Sequence, residues 1–226
     1  MNAYDVLEAR GVTRLCHFTK LQSLTHIILS ADGILASSSI RSDTKNLTDK
    51  ARYDGELDYV CCSVEYPNSW FLKIAKQKDT DKIFREWVVL YIDLAILKYS
   101  SAKFCPCNAS KGNGSYIDDH MENVESIFDD SVATFSYPRS SKMLSCCPTD
   151  GQAEILIKNN IPREFIIGLA VGNDDIAARI YAMLKTYGVD GLPIYISPDV
   201  LTTSWNVMIK NGQRPSETKC VWPEGE

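Results

Sequence analysis

A histidine, an arginine and a glutamate, far apart along the chain, carry the chemistry of this sequence. His17 stands in Cys16-His17-Phe18-Thr19, and Arg52 is a cation in a long polar stretch. Glu154 follows a turn-forming Asp150-Gly151 at the head of the apolar run Ile155-Leu156-Ile157. In an extended segment Ile155 and Ile157 share one face and Glu154 and Leu156 the other, so the sequence places a carboxylate at the mouth of a strand. An acid there is costly unless it is paired or used. His17 and Thr19 fall on one side of their strand and could hold the ribose and amide of a nucleotide. An arginine could neutralise a pyrophosphate or orient an acceptor. A carboxylate can accept from a ribose 2′-OH and stabilise the oxocarbenium-like charge that develops as a glycosidic bond breaks. Brought together, the three suit transfer from a nicotinamide glycoside. Taken singly, each has an ordinary reading: a packed core histidine, a solvated loop arginine, a strand-end glutamate.

The elements that must position them are read from periodicity and turn chemistry. Ala3 to Ala9 reads as a short helix ended at Gly11, and Arg14 to Phe18 as extended. Thr19, with Gln22 three residues on, has the pattern of a capping box opening a helix. That helix has a buried stripe of Leu21, Leu24 and Ile28 and stops at Asp32-Gly33, where Ile34-Leu35 begins a return. Ser37 to Asp58 is a long polar loop of the kind that carries function. Tyr59 to Val64 and Trp87 to Ile92 read as buried strands, with a helix from Ser69 to Lys76 between them. Asp93 to Leu97 is a short turn or helix, Phe104 to Ser110 an extended segment with a turn, Lys111 to Gly114 a flexible link, and Met121 to Phe128 helical. Ser131 to Gly151 is a second long loop that delivers the chain to Glu154. Phe165 to Val171 is strand-like, Asp174 to Tyr187 an amphipathic helix closed by Gly188, and Pro193 to Ile196 a last strand. Strands and helices do not alternate regularly, which favours an α+β fold over a doubly wound parallel sheet. No Gly-rich phosphate loop is present, so any nucleotide is held by other means.

Composition bounds the rest. The chain has 226 residues, 45% hydrophobic and 23% charged, enough for one sizeable core in an ordinary globular protein. No apolar run is long enough to cross a bilayer, and Met1-Asn2-Ala3-Tyr4-Asp5 lacks the basic start of a secretory leader, so a cytoplasmic location without membrane attachment is expected. A net charge of −5 argues against nucleic-acid binding by bulk electrostatics and leaves local basic strips, Lys45, Lys50 and Arg52 in one loop and Arg139 and Lys142 in another. The eight cysteines include Cys61-Cys62, Cys146-Cys147 and Cys105-Pro106-Cys107, which is not the spacing of a secreted disulfide framework. They read as thiols in a reducing compartment. A zinc site from Cys105, Cys107, Cys146 and Cys147 would lack the usual C-x-x-C geometry, and no metal is expected. Neither His26 nor His120 has the context of a cysteine nucleophile.

In order along the chain, a set of segments resembles the DarT-type DNA ADP-ribosyltransferases. They are His17-Phe18-Thr19, the Leu24 to Leu35 helix and turn, Arg52-Tyr53-Asp54-Gly55, the Tyr59 to Trp70 strand and turn, Trp87 to Leu94, Phe104-Cys105-Pro106-Cys107-Asn108-Ala109-Ser110, and Pro148-Thr149-Asp150-Gly151-Gln152-Ala153-Glu154. The likeness runs from roughly Thr13 to Ile166. It implies an ADP-ribosyltransferase-like fold over residues 1–226 as a single domain: a split, mostly antiparallel β-sheet core with flanking helices and NAD, the substrate, in the cleft. By matching motif, His17, Phe18 and Thr19 would hold NAD. Glu154 would be the catalytic acid, and Arg52 would contact NAD and assist removal of the acceptor base proton. His26 and Ile34, on the adjoining helix and turn, are further cofactor-contact candidates. The loop from about Ser37 to Tyr53 would cover the cofactor, and that from about Phe128 to Ala153 would read the acceptor. The implied partners are single-stranded DNA, whose bases are already unstacked, and a macrodomain antitoxin that reverses the modification; a monomer is expected. Tyr137, Arg139 and Lys142 are the candidate nucleic-acid contacts. Thymidine is the common acceptor of these proteins, with guanosine-directed and RNA-directed relatives. This chain has Cys107 where the motif has threonine, and Cys146-Cys147 in the acceptor loop, so thymidine and guanosine both stay open; the alternatives are transfer to RNA or a protein side chain, and a catalytically silent nucleotide-binding module.

Overall fold

A computed structural model describes residues 2–40, 52–78, 85–132 and 137–222. The helices are α1 (Ala3–Ala9), α2 (Leu21–Leu29), α3 (Ser69–Lys78), α4 (Asp174–Thr186) and α5 (Ser204–Lys210). The strands are β1 (Leu15–Lys20), β2 (Ile34–Leu35), β3 (Tyr59–Val64), β4 (Trp87–Ile92), β5 (Ala102–Cys105), β6 (Glu154–Lys158), β7 (Asn160–Ile161), β8 (Ile166–Val171), β9 (Ile194–Ile196) and β10 (Thr218–Lys219). Eight strands form one sheet in the order β10-β9-β8-β4-β1-β3-β6-β5, and β2 pairs with β7 apart from it. All pairs in the large sheet are antiparallel except β8 with β9, which α4 connects. This is the α+β class expected from the irregular order of elements, with the mostly antiparallel sheet that the family resemblance implies.

The middle of the sheet follows from β4, Trp-Val-Val-Leu-Tyr-Ile, whose six residues are all buried and which can therefore lie only between covered faces. β6 behaves as its alternation predicts. Ile155 and Ile157 join the main core with Val124, Ile127 and Phe104. Leu156 packs on the opposite face in a smaller cluster with Cys105, Cys107, Ala109 and Tyr59. Glu154 is on that second face, next to a small apolar platform.

Several local expectations are corrected. Thr19 does not cap α2: β1 continues through Lys20, which pairs with Trp87, and the α2 cap position is Lys20 with no side-chain cap bond. The strand ladder holds the Thr19 backbone extended, one residue too early for a cap. Lys111 to Gly114 is a 3₁₀ turn with Gly112 and Asn113 in left-handed conformations, closed by backbone bonds from Asn113 N to Ser110 O (3.2 Å) and Ser115 N to Gly112 O (3.3 Å). The chain does not end its regular structure at Ile196, since α5 and β10 follow. Lys45 and Lys50, and most of the expected Ser37 to Tyr53 cofactor loop, lie outside the described residues, as does part of the second long loop.

Candidate active site

The sheet opens beside β1. β1 pairs with β4 along its whole length from Leu15 to Lys20, but with β3 only at Leu15 and Cys16. β3 meanwhile stays in register with β6, Ser63 opposite Glu154. From His17 onward the two halves diverge, and a cleft of about 440 Å³ fills the opening, a size suited to a ligand larger than a metabolite fragment. His17, Phe18, Thr19, His26, Ile34, Arg52 and Glu154 all line it. α2 and the turn after it form one wall, and Gly33 lets that turn pass against β7. Its φ is +64°, and a side chain there would collide with the Ile161 carbonyl and come within 2.7 Å of Arg163 N.

Across the opening, His17 Nδ1 lies 2.9 Å from the Cys61 carbonyl. A carbonyl only accepts, so Nδ1 carries the proton. Burial lowers the imidazole's affinity for a second proton, and the nearby Arg52 charge adds to this. The neutral ring therefore offers Nε2 as an acceptor. Phe18 packs against Phe71 of α3 and Trp87 of β4, both at 5.9 Å between ring centroids.

Arg52 has a left-handed backbone, φ +40°, uncommon for a side chain with a Cβ. Its guanidinium explains how that is held. Nε donates to Asp54 Oδ1 at 3.0 Å, Nη1 to Ser37 Oγ at 3.0 Å and to the Tyr59 carbonyl at 3.2 Å, and Nη2 to the Glu56 carbonyl. Asp54 is itself buried, accepts from Glu56 N at 3.0 Å, and fixes the fork. A planar donor set of this kind is what Lys could not supply.

Glu154 is 8% exposed. Oε1 accepts from Asn108 Nδ2 at 3.2 Å and Asn68 Nδ2 at 3.5 Å, and Oε2 from Ala109 N at 3.4 Å. Burial pushes its carboxyl up to about 8, against the bonds from Ala109 N and Asn68 and the charge of Arg52, which favour the carboxylate. The long distances leave both oxygens able to take a further donor from the cleft. The group is thus a desolvated acid whose charge state responds to whatever charge enters beside it.

Asn68 and Asn108 were not singled out by sequence reasoning. Asn68 Oδ1 accepts Phe71 N at 3.0 Å in the first turn of α3, and Asn68 N donates to Ser63 Oγ at 2.8 Å, leaving the amide nitrogen aimed at Glu154. A cap residue before a helix looks ordinary in sequence. Asn108 uses Oδ1 to accept Ser110 N at 3.1 Å, a local turn, and its amide nitrogen for Glu154. Its place in the Phe-Cys-Pro-Cys-Asn-Ala-Ser segment was the available signal.

Tyr137, Arg139 and Lys142 lie outside the cleft lining. Tyr137 is 79% exposed, and Lys142 is exposed. Arg139 is turned inward: it donates to the carbonyls of Cys147 and Leu144, each at 2.8 Å, and to Thr149 Oγ1 at 3.3 Å. It builds the loop before Glu154 from within. The cysteines form two separate thiol pairs, Cys105 with Cys107 and Cys146 with Cys147, each 3.8 Å between sulfurs and in different core clusters, so a four-cysteine zinc site is not assembled. Among the described residues, Asp118, Asp119 and His120 are the group close enough to share a metal ion, and they lie outside the cleft lining.

A mostly antiparallel sheet whose opening holds a histidine, a clamped guanidinium and a buried glutamate is the arrangement that the resemblance to the ADP-ribosyltransferases implies. The family described as ssDNA thymidine ADP-ribosyltransferase, DarT, matches residues 16–202, and the chain belongs to that family. Solved structures give the same fold. Thermus sp. 2.9 DarT in complex with ADP-ribosylated ssDNA is similar with a TM-score of 0.60 at 16% identity, over 84% of this chain and 96% of that one. The Thermus protein in complex with NAD+ gives 0.57 at 16% identity, over 83% of this chain and 96% of that one. Thermosipho africanus DarTG in complex with ADP-ribose gives 0.52 at 14% identity, over 84% of this chain and 51% of that one. No curated protein matches the sequence.

Proposed function

We propose that the cleft binds NAD and that the enzyme transfers its ADP-ribose to thymidine in single-stranded DNA, as the toxin of a pair whose antitoxin is a macrodomain protein. The observation that carries this reading is the convergence of His17, Arg52 and Glu154 on one opening of the sheet. His17 Nε2 accepts from a ribose hydroxyl, Phe18 and Ile34 supply apolar walls, and Thr19 and His26 complete the polar lining. Arg52, its Nε and Nη1 donors held by Asp54, Ser37 and Tyr59, offers the pyrophosphate its positive charge rather than a paired fork. Glu154 accepts from the 2′-OH of the nicotinamide ribose and faces the positive charge that grows on that sugar.

In the transfer, the C1′–N bond to nicotinamide breaks and its electron pair neutralises the pyridinium ring. A base nitrogen forms the new bond to C1′ and its proton passes to solvent water. Arg52 assists that loss by stabilising the negative charge that develops on the base. Burial, against the bonds from Ala109 N and Asn68, leaves the empty-cleft Glu154 carboxyl pushed up to about 8, and the positive pyridinium entering beside it favours the carboxylate. Binding of the donor thereby arms the acid.

Tyr137 and Lys142 lie on the acceptor side, one to stack on a base and one to meet phosphate; Arg139 shapes the loop that presents them. Among the described residues no helix is long and apolar enough to cross a membrane, which fits the cytoplasm, where DNA and NAD are both available. The chain acts as a monomeric single domain. The test is incubation with NAD labelled in its ADP-ribose and, in parallel, single-stranded DNA, duplex DNA, RNA and protein, followed by mass spectrometry of the labelled product. Label on thymidine of the single strand, lost in Glu154→Ala, is expected. Label on guanosine, RNA or protein would replace the acceptor, and full labelling by Glu154→Ala would remove the mechanism.

A further inference from the structure

α5 and the turn after it lie beyond residues 16–202, the span that the family profile matches. They are nonetheless built into the loop that leads to Glu154. Leu144 N donates to the Ile209 carbonyl at 3.1 Å, and Arg214 Nη2 to Cys146 Sγ at 3.5 Å. Arg214 Nη1 is also paired at 3.1 Å with Glu65, a carboxylate that is 1% exposed. A side chain at Gly212 would come within 3.0 Å of the Lys142 carbonyl. Lys210 holds its ammonium 5.5 Å from the centre of the Tyr137 ring. One short helix and its following turn thus touch the loop at Tyr137, Lys142, Leu144, Cys146 and Gly151.

The contact at Gly151 is the tightest. A Cβ there would sit 2.9 Å from Asn206 Oδ1, 3.0 Å from Trp205 Cη2 and 3.5 Å from Trp70 Cζ3. Trp205 is fully buried, with ring centroids 5.4 Å from Tyr66 and 6.3 Å from Trp70. Trp70 is two residues after Asn68, which donates to Glu154, and Gly151 is three residues before Glu154 itself. Trp205 therefore fills the space between both approaches to the carboxylate. At the junction Ser69 Oγ, Trp205 Nε1 and Asn206 Oδ1 are buried with no hydrogen-bond partner among the described residues, a desolvation cost that their packing must offset.

We infer that α5 is an acceptor-side brace, with Trp205 as a positioning residue that sets where the loop presents the acceptor base to Glu154 and leaves the NAD side of the cleft untouched. The NAD-side lining, His17, Phe18, Thr19 and Arg52, makes none of these contacts. The inference rests on the single-stranded DNA reading above.

The test compares Gly151→Ala, Trp205→Phe and the double change Gly151→Ala with Asn206→Ala. Calorimetric NAD affinity and the oligonucleotide KM are measured for each. Gly151→Ala pushes the loop off Asn206 and Trp205, and Trp205→Phe shortens the wedge while keeping an aromatic ring against Tyr66. Each is expected to raise the oligonucleotide KM by about tenfold or more, the effect of sub-ångström misplacement, with NAD affinity within about twofold of the parent. Removing the Asn206 amide relieves the closest clash, so the double change recovers most of the loss. An unchanged oligonucleotide KM in the folded variants overturns the brace. So does loss of NAD affinity and oligonucleotide use together without rescue by Asn206→Ala. If Gly151→Ala does not fold, Trp205→Phe decides alone. Failure of the parent enzyme to label single-stranded DNA would instead refute the substrate reading, which separates the two.

Discussion

Replacing Glu154 by glutamine should abolish transfer and stabilise the protein, by an amount that grows with pH. The carboxyl titrates at about 4.5 in an unfolded chain and at about 8 in the fold, because burial disfavours the charged form. A group whose folded value is raised in this way makes the native state bind more protons than the unfolded one across that window, so stability falls as pH rises from the lower value to the upper and then levels. At about 1.4 kcal/mol per pH unit, the parent loses roughly 3 kcal/mol between about pH 5.5 and about pH 9 through this one group. Glutamine does not titrate and removes that slope. It keeps an oxygen for the amides of Asn68 and Asn108, but turns an NH2 toward Ala109 N, where the native oxygen accepts at 3.4 Å. That mismatch costs about 1 kcal/mol at any pH. The two terms nearly cancel at acid pH and leave the glutamine variant favoured by about 2–4 kcal/mol at alkaline pH. Urea denaturation of Glu154→Gln and the parent at the two pH values measures the double difference. A gap that does not widen with pH would refute the argument that the acid is held against its own desolvation.

Three further outcomes follow from the same site. Asn68→Asp keeps the α3 cap, since aspartate caps as well as asparagine, but replaces a donor to Glu154 with a like charge; the rise of kcat/KM with pH should move alkaline by about one unit, and an unshifted profile would contradict the contact. His17→Ala removes both the bridge to the Cys61 carbonyl and the Nε2 acceptor; NAD affinity measured by calorimetry should fall about tenfold, the worth of one net hydrogen bond. Gly33→Ala forces a side chain into a left-handed position against the Ile161 and Arg163 backbone; thermal denaturation should show a loss of more than about 1 kcal/mol, and an unchanged melting temperature would mean the α2 to β2 wall is looser than its geometry.

Much of the fold was legible because it is local. The unbroken apolar run of β4 required burial on both faces, and the alternation in β6 put Glu154 with Leu156 and against Ile155. The amphipathic stretch from Asp174 is the helix α4, whose start is fixed by the Asn173 side chain accepting from Ile176 N. The chemical character of His17, Arg52 and Glu154 was legible too, since residue type limits what a side chain can donate, accept or stabilise. Short elements failed locally: the Thr19 to Gln22 pattern is good capping chemistry, overruled by six residues of strand pairing.

Sequence alone determined which groups are available and which segments must be extended, helical or buried, because those follow from side-chain shape, backbone preference and hydrophobic period. Tertiary structure decided where the sheet opens, since nothing in β1 or β3 says that their ladder stops at Cys16. It also decided that two asparagines would point at one carboxylate, and that Trp205, 54 residues after Gly151, would wedge against it. Those contacts join positions far apart in the chain, and only the packing of a particular register brings them within bonding distance. The raised affinity of Glu154 for its proton belongs to the same class, because it comes from the water that the surrounding chain removes.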